Sequence, residues 1–151
     1  MIERIFIRPP DGQQPLEQQR VHVVAGAGIR GDRYFGAHDE PGQNVSFVEA
    51  EEIEAFALRH ERRLALSATG RNVVTRGVRL NDLVGKTFTV GGLRFRGVEL
   101  CEPCLGLGEA LATPDLPPAD VVKQWVHRAG LRADALSSGE LPVGAEFGQA
   151  D

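Results

Sequence analysis

The clearest structural signal in the chain is TFTVGGLRFRGVELCEPC, residues 87–104. Two runs of alternating apolar residues flank Gly91-Gly92, and a glycine pair in this setting is typical of a two-residue β-hairpin turn. The pattern predicts strands over Thr87–Val90 and Leu93–Arg96. A further predicted strand, Val98–Leu100, leads the chain to Cys101. Antiparallel strands therefore lie at the centre of the predicted fold.

Outside this hairpin, apolar alternation and turn residues delimit several more short strands. The predicted strands are Met1–Arg8, Arg20–Val24, Gln43–Val48, Asn72–Val78, Arg132–Leu136 and Ala145–Phe147. Gln43–Val48 runs directly into a predicted helix, because Ser46 and Glu49 have the spacing of a capping box and Ile53 and Phe56 form an apolar stripe. Two more helices are predicted over Leu105–Leu111 and Ala119–Arg128.

The order of these elements bears on the fold class. About seven or eight short strands are joined by two or three helices that do not alternate regularly with them, which disfavours a doubly wound parallel sheet. We therefore expect a mostly β, α+β fold in which helices pack around a β-barrel. No repeat or linker divides the chain, so residues 1–151 are predicted to form a single domain.

Composition excludes several classes of protein. Hydrophobic residues make up 42% of the chain and charged residues 25%, the balance of a folded globular protein rather than a disordered one. The net charge of −4 argues against a general nucleic-acid binder, which needs a basic surface. No run approaches the roughly 20 apolar residues of a membrane span. The charged segment Met1–Arg8 lacks the apolar core of a signal peptide, so we expect a cytoplasmic protein.

The two cysteines, Cys101 and Cys104, form a C-x-x-C motif between a predicted strand and a predicted helix. A helix N-terminus or a nearby arginine lowers the pKa of a thiol and makes it reactive, and Cys104 lies closer to the predicted helix. Three other interpretations are open: half of a zinc site, a thioredoxin-like redox pair, or two inert buried cysteines. The sequence alone does not separate them.

Two glycine turns carry side chains that suit an anionic ligand. The first is Gly28-Ile29-Arg30-Gly31-Asp32-Arg33, and the second is Gly70-Arg71-Asn72. Glycine allows close backbone approach, and guanidinium groups donate charge-assisted hydrogen bonds to phosphate. Alternatively, Asp32 pairs with an arginine inside its own turn, and the Asn72 side chain satisfies the backbone of its turn.

These segments together resemble a known family. The segments that carry the resemblance are Gly28–Arg33, Gln43-Asn44-Val45-Ser46, Gly70–Thr75, Val90-Gly91 and Glu102-Pro103-Cys104. They occur in the order seen in MOSC domains, the molybdenum cofactor sulfurase C-terminal domains, from about Gly28 to the end of the chain. The resemblance implies a barrel-like β fold with a cysteine that carries sulfur or binds molybdenum.

The resemblance also implies a site. Its Pro-Cys position corresponds to Cys104, as persulfide carrier or molybdenum ligand, and leaves the role of Cys101 open. The anionic pterin phosphate of molybdenum cofactor would suit the arginine-bearing turns, where the candidate cofactor-binding residues are Arg30, Asp32, Arg33, Arg71 and Asn72. The chain shows no pyridoxal-phosphate desulfurase domain, so a carrier would receive sulfur from a partner such as a cysteine desulfurase.

Three functions are therefore open at the level of sequence. The first is a sulfur carrier or molybdenum-cofactor-binding module. The second is a molybdenum-dependent reductase that takes electrons from a separate partner. The third is a cofactor-free C-x-x-C redox or interaction domain. In the carrier, Cys101 would resolve a persulfide on Cys104 by forming a disulfide.

Overall fold

The chain, described over residues 1–151 by a computed structural model, forms eleven β-strands, three α-helices and one short 3-10 helix. The strands are β1 (Ile2–Ile7), β2 (Leu16–Gln18), β3 (Arg20–Val24), β4 (Gly28–Ile29), β5 (Val45–Glu49), β6 (Val73–Thr75), β7 (Thr87–Val90), β8 (Leu93–Leu100), β9 (Leu131–Ala135), β10 (Gly139–Pro142) and β11 (Phe147–Ala150). The helices are α1 (Ala50–Arg59), α2 (Leu105–Leu111) and α3 (Pro118–Trp125), and the 3-10 helix is Leu80–Leu83.

Eight strands form one curled sheet in the order β11-β7-β8-β9-β5-β6-β1-β2, and a second sheet has the order β10-β3-β4. Every strand pair is antiparallel except β5 and β6, which lie parallel because α1 carries the chain between them. Backbone hydrogen bonds between the sheets, such as Gly26 N–H to Ala135 O at 2.8 Å, hold the smaller sheet against the larger one. The predicted mostly β, α+β fold with a barrel-like sheet and peripheral helices is confirmed.

The central hairpin forms as its sequence predicts. Gly91 and Gly92 both have positive φ, at 56° and 81°, which is the conformation that a two-residue hairpin turn of this type requires. Beyond the turn, the two predicted strands Leu93–Arg96 and Val98–Leu100 form one continuous strand, β8. The pairing register between β8 and β9 shifts between Gly97 and Glu99, and the two strands remain paired on both sides of this shift.

The inward-facing residues of both sheets form the larger of two hydrophobic cores. Seventeen buried residues belong to it. The aromatic rings of Phe47, Phe88, Phe95 and Phe147 pack against one another with centroids 5.7–6.1 Å apart. The alternating burial of β8 and β9 places every second side chain here, as the period of a strand requires.

The second core lies between the outer face of the large sheet and the helices. Its members from the sheet include Phe6, Val48 and Val74, and its members from the helices include Ile53, Phe56, Leu107, Leu111, Val121 and Trp125. Cys101 and Ala129 complete it at the end nearest the loops. The helices thus cover the face of the sheet that the first core does not use.

The predicted capping box is wrong. Ser46 lies within β5, and Glu49 is the residue that precedes α1, without a side-chain capping bond. The Glu49 carboxylate instead accepts a hydrogen bond from Leu80 N–H at 3.3 Å. Burial raises the pKa of this carboxyl above its usual range. The short strands β2, β4 and β10 and the 3-10 helix had no sequence signal strong enough to predict. The last predicted strand, Ala145–Phe147, is shifted: Ala145 N–H closes a turn onto Pro142 O at 3.2 Å, and the strand is Phe147–Ala150.

No helix in the structure is both long enough and apolar enough to cross a membrane.

Gly130 allows the closest backbone approach in the fold and therefore offers a test of it. Its φ is +109°, and a Cβ atom at this position would overlap the carbonyl oxygen of Phe47 in β5. Gly130→Ala should lower the free energy of unfolding by about 3 kcal/mol, because a strained φ and a backbone overlap add together. Chemical denaturation would measure this loss.

Gly144→Ala is the matched control. Gly144 also has a positive φ, +89°, but nothing lies within 4 Å of its Cβ position. Its substitution should cost only about 1 kcal/mol, from the backbone conformation alone. Equal losses in the two variants would contradict the close approach of Gly130 to β5.

Candidate functional site

A cavity of about 490 Å³ opens where the loops between the strands meet. It is bounded by residues from five segments of the chain: the Arg33-Tyr34 loop, residues 42–46, the turn 70–72, residues 99–102, and Arg132 of β9. The positive side chains on its wall are Arg33, Arg71 and Arg132, and the negative ones are Glu99 and Glu102. An anion would therefore meet a net positive wall in a chain whose overall charge is negative.

The Asn72 side chain holds these segments together. Its Nδ2 donates to Phe6 O at 3.2 Å and to Asp32 Oδ1 at 3.3 Å. Its Oδ1 accepts from the backbone N–H and the hydroxyl of Ser46, both at 3.1 Å, and its backbone N–H donates to Ser46 Oγ at 3.0 Å. All the hydrogen-bonding capacity of this buried amide is used within the protein.

Asp32 organises the first glycine turn from the inside. Its carboxylate is buried and accepts hydrogen bonds from the backbone N–H groups of Arg8 at 2.9 Å and Tyr34 at 3.2 Å, in addition to Asn72. The turn thus contains an aspartate bound to amide donors, and no arginine forms an ion pair with it. Both Asp32 and Asn72 position the cavity wall, and their direct contact with a cofactor stays a prediction.

Arg71 is the best placed of the predicted ligand-binding arginines. Its Nε donates to Ala129 O at 3.0 Å, which orients the guanidinium group. Its two terminal nitrogens bind no group of the protein, and its side chain lines the cavity. An arginine held by Nε alone presents both Nη atoms to a bidentate acceptor such as phosphate or carboxylate.

Arg33 lies on the cavity rim, with its guanidinium carbon 4.8 Å from the centre of the Tyr34 ring. The stacking keeps the side chain over the ring without consuming its hydrogen-bond donors. Arg30, from the same glycine turn, is exposed and lines neither this cavity nor the smaller groove beside it. The structure therefore brings Arg33 and Arg71 together and leaves Arg30 apart from them.

Cys101 is the thiol that lines the cavity. It is buried, and its backbone N–H donates to Gly130 O at 2.8 Å, which attaches the end of β8 to the glycine that approaches β5. Burial raises the pKa of the Cys101 thiol, while the positive charges of Arg71 and Arg132 oppose part of that rise. At neutral pH this thiol is protonated.

Cys104 has the opposite environment. It is exposed, it immediately precedes α2, and it does not line the cavity. Its carbonyl oxygen accepts the Gly108 N–H at 3.0 Å, so the backbone of this turn is part of the helix start. The two cysteines are free thiols in the structure. No cluster of three or more His, Cys, Asp or Glu side chains forms, so nothing completes a zinc site around the C-x-x-C motif.

The cavity-wall residues that sequence reasoning missed include the charged and aromatic side chains of Tyr34, Glu99, Glu102 and Arg132. Arg132 was noted only as the start of a strand. In the structure its Nη1 pairs with Glu99 at 2.8 Å and its Nε donates to Gly42 O at 3.3 Å. No local motif marks Glu99 or Arg132, because only the pairing of β8 with β9 places these two residues side by side.

Comparison with known proteins agrees with the fold. A family model described as the MOSC domain matches residues 35–147. The structure of the YuaD protein from Bacillus subtilis is similar, with a TM-score of 0.80, 21% identity and 97% of both chains aligned. No curated protein matches the sequence significantly.

Two structures of YiiM are also similar. For YiiM from Geobacillus stearothermophilus the TM-score is 0.69 at 19% identity, over 97% of this chain and 74% of that one. For YiiM from Escherichia coli the TM-score is 0.68 at 16% identity, over 97% of this chain and 68% of that one. At such low identities these similarities establish the fold alone.

The contrast between the two cysteines predicts their order of alkylation. At neutral pH, iodoacetamide should label Cys104 roughly tenfold or more faster than Cys101, because Cys104 is exposed whereas burial both shields Cys101 and raises its pKa. Peptide mass spectrometry over a time course would measure both rates. Denatured protein, in which the two thiols should react at similar rates, is the control. Equal or reversed rates in the folded protein would contradict this order.

Proposed function

The chain belongs to the MOSC domain family, and we propose that its cavity binds molybdenum cofactor through the anionic pterin phosphate. The observation that carries this proposal is the Arg71 guanidinium, which is anchored through Nε to Ala129 O and has two free Nη atoms on the cavity wall. The guanidinium group of Arg71 is thus held at the edge of a cavity that is large enough for a small organic ligand.

The donor set fits such a cofactor. Arg71 and Arg33 would hold the phosphate, since both guanidinium groups keep free donors beside the cavity. A thiolate sulfur is a soft ligand suited to molybdenum, and Cys101, on the same wall, would supply one by releasing its proton when the metal binds. When bound, the cofactor would supply a redox-active metal centre. The residues of this chain would bind its anionic end and orient it against a thiol.

Arg132 and Glu99 have a different part in this arrangement. The Nη1 atom of Arg132 donates to the Glu99 carboxylate in this ion pair, and its Nε atom donates to Gly42 O. Arg132 therefore offers fewer free donors than Arg71. We assign it to shaping the wall of the cavity, and we assign the phosphate to Arg71 and Arg33.

A sulfur carrier is the second candidate, and the exposure of Cys104 favours it. A thiolate at this position is accessible to a protein donor, such as a cysteine desulfurase that carries a persulfide. Transfer of the outer sulfur to Cys104 would leave the donor as a thiolate and Cys104 as a persulfide. The buried Cys101 is far less accessible to such a partner.

Cofactor content tests the role of the arginines. In protein purified from a host that makes the cofactor, Arg71→Lys should retain about tenfold less molybdenum and pterin than the wild type, because lysine keeps the charge but loses the bidentate fork. Arg33→Lys should reduce both in the same direction. Metal analysis and pterin fluorescence would measure the content, and thermal unfolding would show that the variants remain folded.

Arg94→Lys is the matched control, since Arg94 is exposed on β8, forms no side-chain hydrogen bond or ion pair, and lines neither cavity nor groove. Its cofactor content should equal that of the wild type. Unchanged content in both Arg71→Lys and Arg33→Lys would contradict cofactor binding at this cavity. Wild-type protein with no molybdenum or pterin, but with an extra sulfur atom on Cys104, would favour the carrier.

The resemblance to the family and the geometry of the cavity point to different cysteines as the molybdenum ligand. The resemblance assigns molybdenum to Cys104, whereas the cavity wall contains Cys101. On the geometry we expect Cys101→Ser to retain less molybdenum than Cys104→Ser, because a ligand in the cavity meets only the first thiol. Metal-to-protein ratios of the two variants would decide, and a selective loss in Cys104→Ser would assign the metal to Cys104 instead.

A further inference from the structure

A shallow groove adjoins the cavity, and an arginine from the end of β1 lines it. Its volume is about 20 Å³, and it shares Arg33, Tyr34 and Arg71 with the cavity. Its lining also includes Arg8, the residue after β1, and Pro15. The enclosed space of the groove is about that of one water molecule, so only part of an end group enters it. The 490 Å³ cavity accommodates the body of a ligand.

Backbone bonds place Arg8 beside Arg33. The Arg33 N–H donates to Arg8 O at 2.7 Å, and the Arg8 N–H donates to the Asp32 carboxylate at 2.9 Å. One backbone bond and one bond to the buried Asp32 carboxylate thus join the end of β1 to the glycine turn. The backbones of Arg8 and Arg33 are therefore held next to each other.

The guanidinium groups around the groove have no carboxylate partners. Neither Arg8 nor Arg33 forms a side-chain hydrogen bond or an ion pair with any other residue, and Arg71 uses only its Nε. Arginines elsewhere in the chain do form ion pairs, for example Arg4 with Glu17 and Arg76 with Glu3 and Glu54. The arginines at the groove thus differ from Arg4 and Arg76, whose guanidinium groups are paired with carboxylates of the protein.

The charges at the groove favour an anion. The one negative group there is Asp32, and both of its carboxylate oxygens already accept hydrogen bonds from Arg8 N–H, Tyr34 N–H and Asn72 Nδ2. Three guanidinium groups against one carboxylate leave a local excess of positive charge. A dianionic group would offset their mutual repulsion and would accept several charge-assisted hydrogen bonds.

We propose that Arg8 completes a subsite, with Arg33 and Arg71, for the terminal phosphate of the ligand in the cavity. This inference rests on the proposed function and adds to it a residue and an orientation. The phosphate lies at the groove, and the rest of the ligand extends through the cavity toward Cys101. Arg8 lies outside residues 35–147, the part of the chain that matches the family model.

Inorganic phosphate is the probe for this subsite. Calorimetric titration of the full chain at low salt, purified from a host without the cofactor, should show phosphate binding. Arg8→Gln should weaken that binding by roughly tenfold, because a charge-assisted donor is lost. Arg8→Lys, which keeps the charge, should have an intermediate effect. Since the Arg8 side chain makes no bond within the protein, its variants should unfold at the wild-type temperature.

Arg94→Gln is the matched control for loss of one positive charge, and its phosphate affinity should stay within about twofold of the wild type. An Arg8→Gln affinity equal to that of Arg94→Gln would overturn the subsite. If Arg71→Lys then still loses molybdenum and pterin, the proposed function stands while this inference fails. Wild-type protein that binds no phosphate but retains the cofactor would also overturn the inference alone. Wild-type protein that neither binds phosphate nor retains the cofactor would overturn both this inference and the proposed function.

Discussion

The amide of Asn72 is the contact on which the rest of the site depends. It joins β1 through Phe6 O, the glycine turn through Asp32, and β5 through Ser46, while its own backbone precedes β6. A buried amide bound on every side is costly to disrupt, because each lost partner leaves a polar group without water or protein. Three chain segments that are distant in sequence are thereby held at one point, and Arg71 and Arg33 extend from the two turns beside it.

The close packing of Gly130 against β5 is the second constraint on the site. The approach of Gly130 to β5 brings its carbonyl oxygen to the Cys101 N–H, so the thiol lies in the cavity wall. Three residues later the chain is exposed at Cys104. A single C-x-x-C motif thus contains one buried and one accessible thiol. This asymmetry is the basis of the proposed cofactor binding at the first and of the alternative, sulfur exchange at the second.

Local patterns were reliable where one interaction decides the outcome. Gly91-Gly92 formed the hairpin turn, since no other residue type adopts two consecutive positive φ angles so readily, and Leu105–Leu111 formed the helix α2 as predicted. The capping box failed for a physical reason. The Ser46 hydroxyl that the motif would use at a helix start is bound to Asn72, and the tertiary contact prevailed over the local one.

Sequence by itself determined the fold class, the order of most strands and the glycine turns that carry Arg33 and Arg71, because these follow from periodicity and turn chemistry between near neighbours. The order of its motifs indicated the family by resemblance. Only the tertiary structure decided which thiol lines the cavity, that Asp32 and Asn72 bind protein groups, and that Arg8 and Arg132 lie beside the same site. Those facts depend on hydrogen bonds between β1 and the glycine turn and on strand pairing between β8 and β9. Such pairing brings together residues whose separation along the chain carries no local pattern.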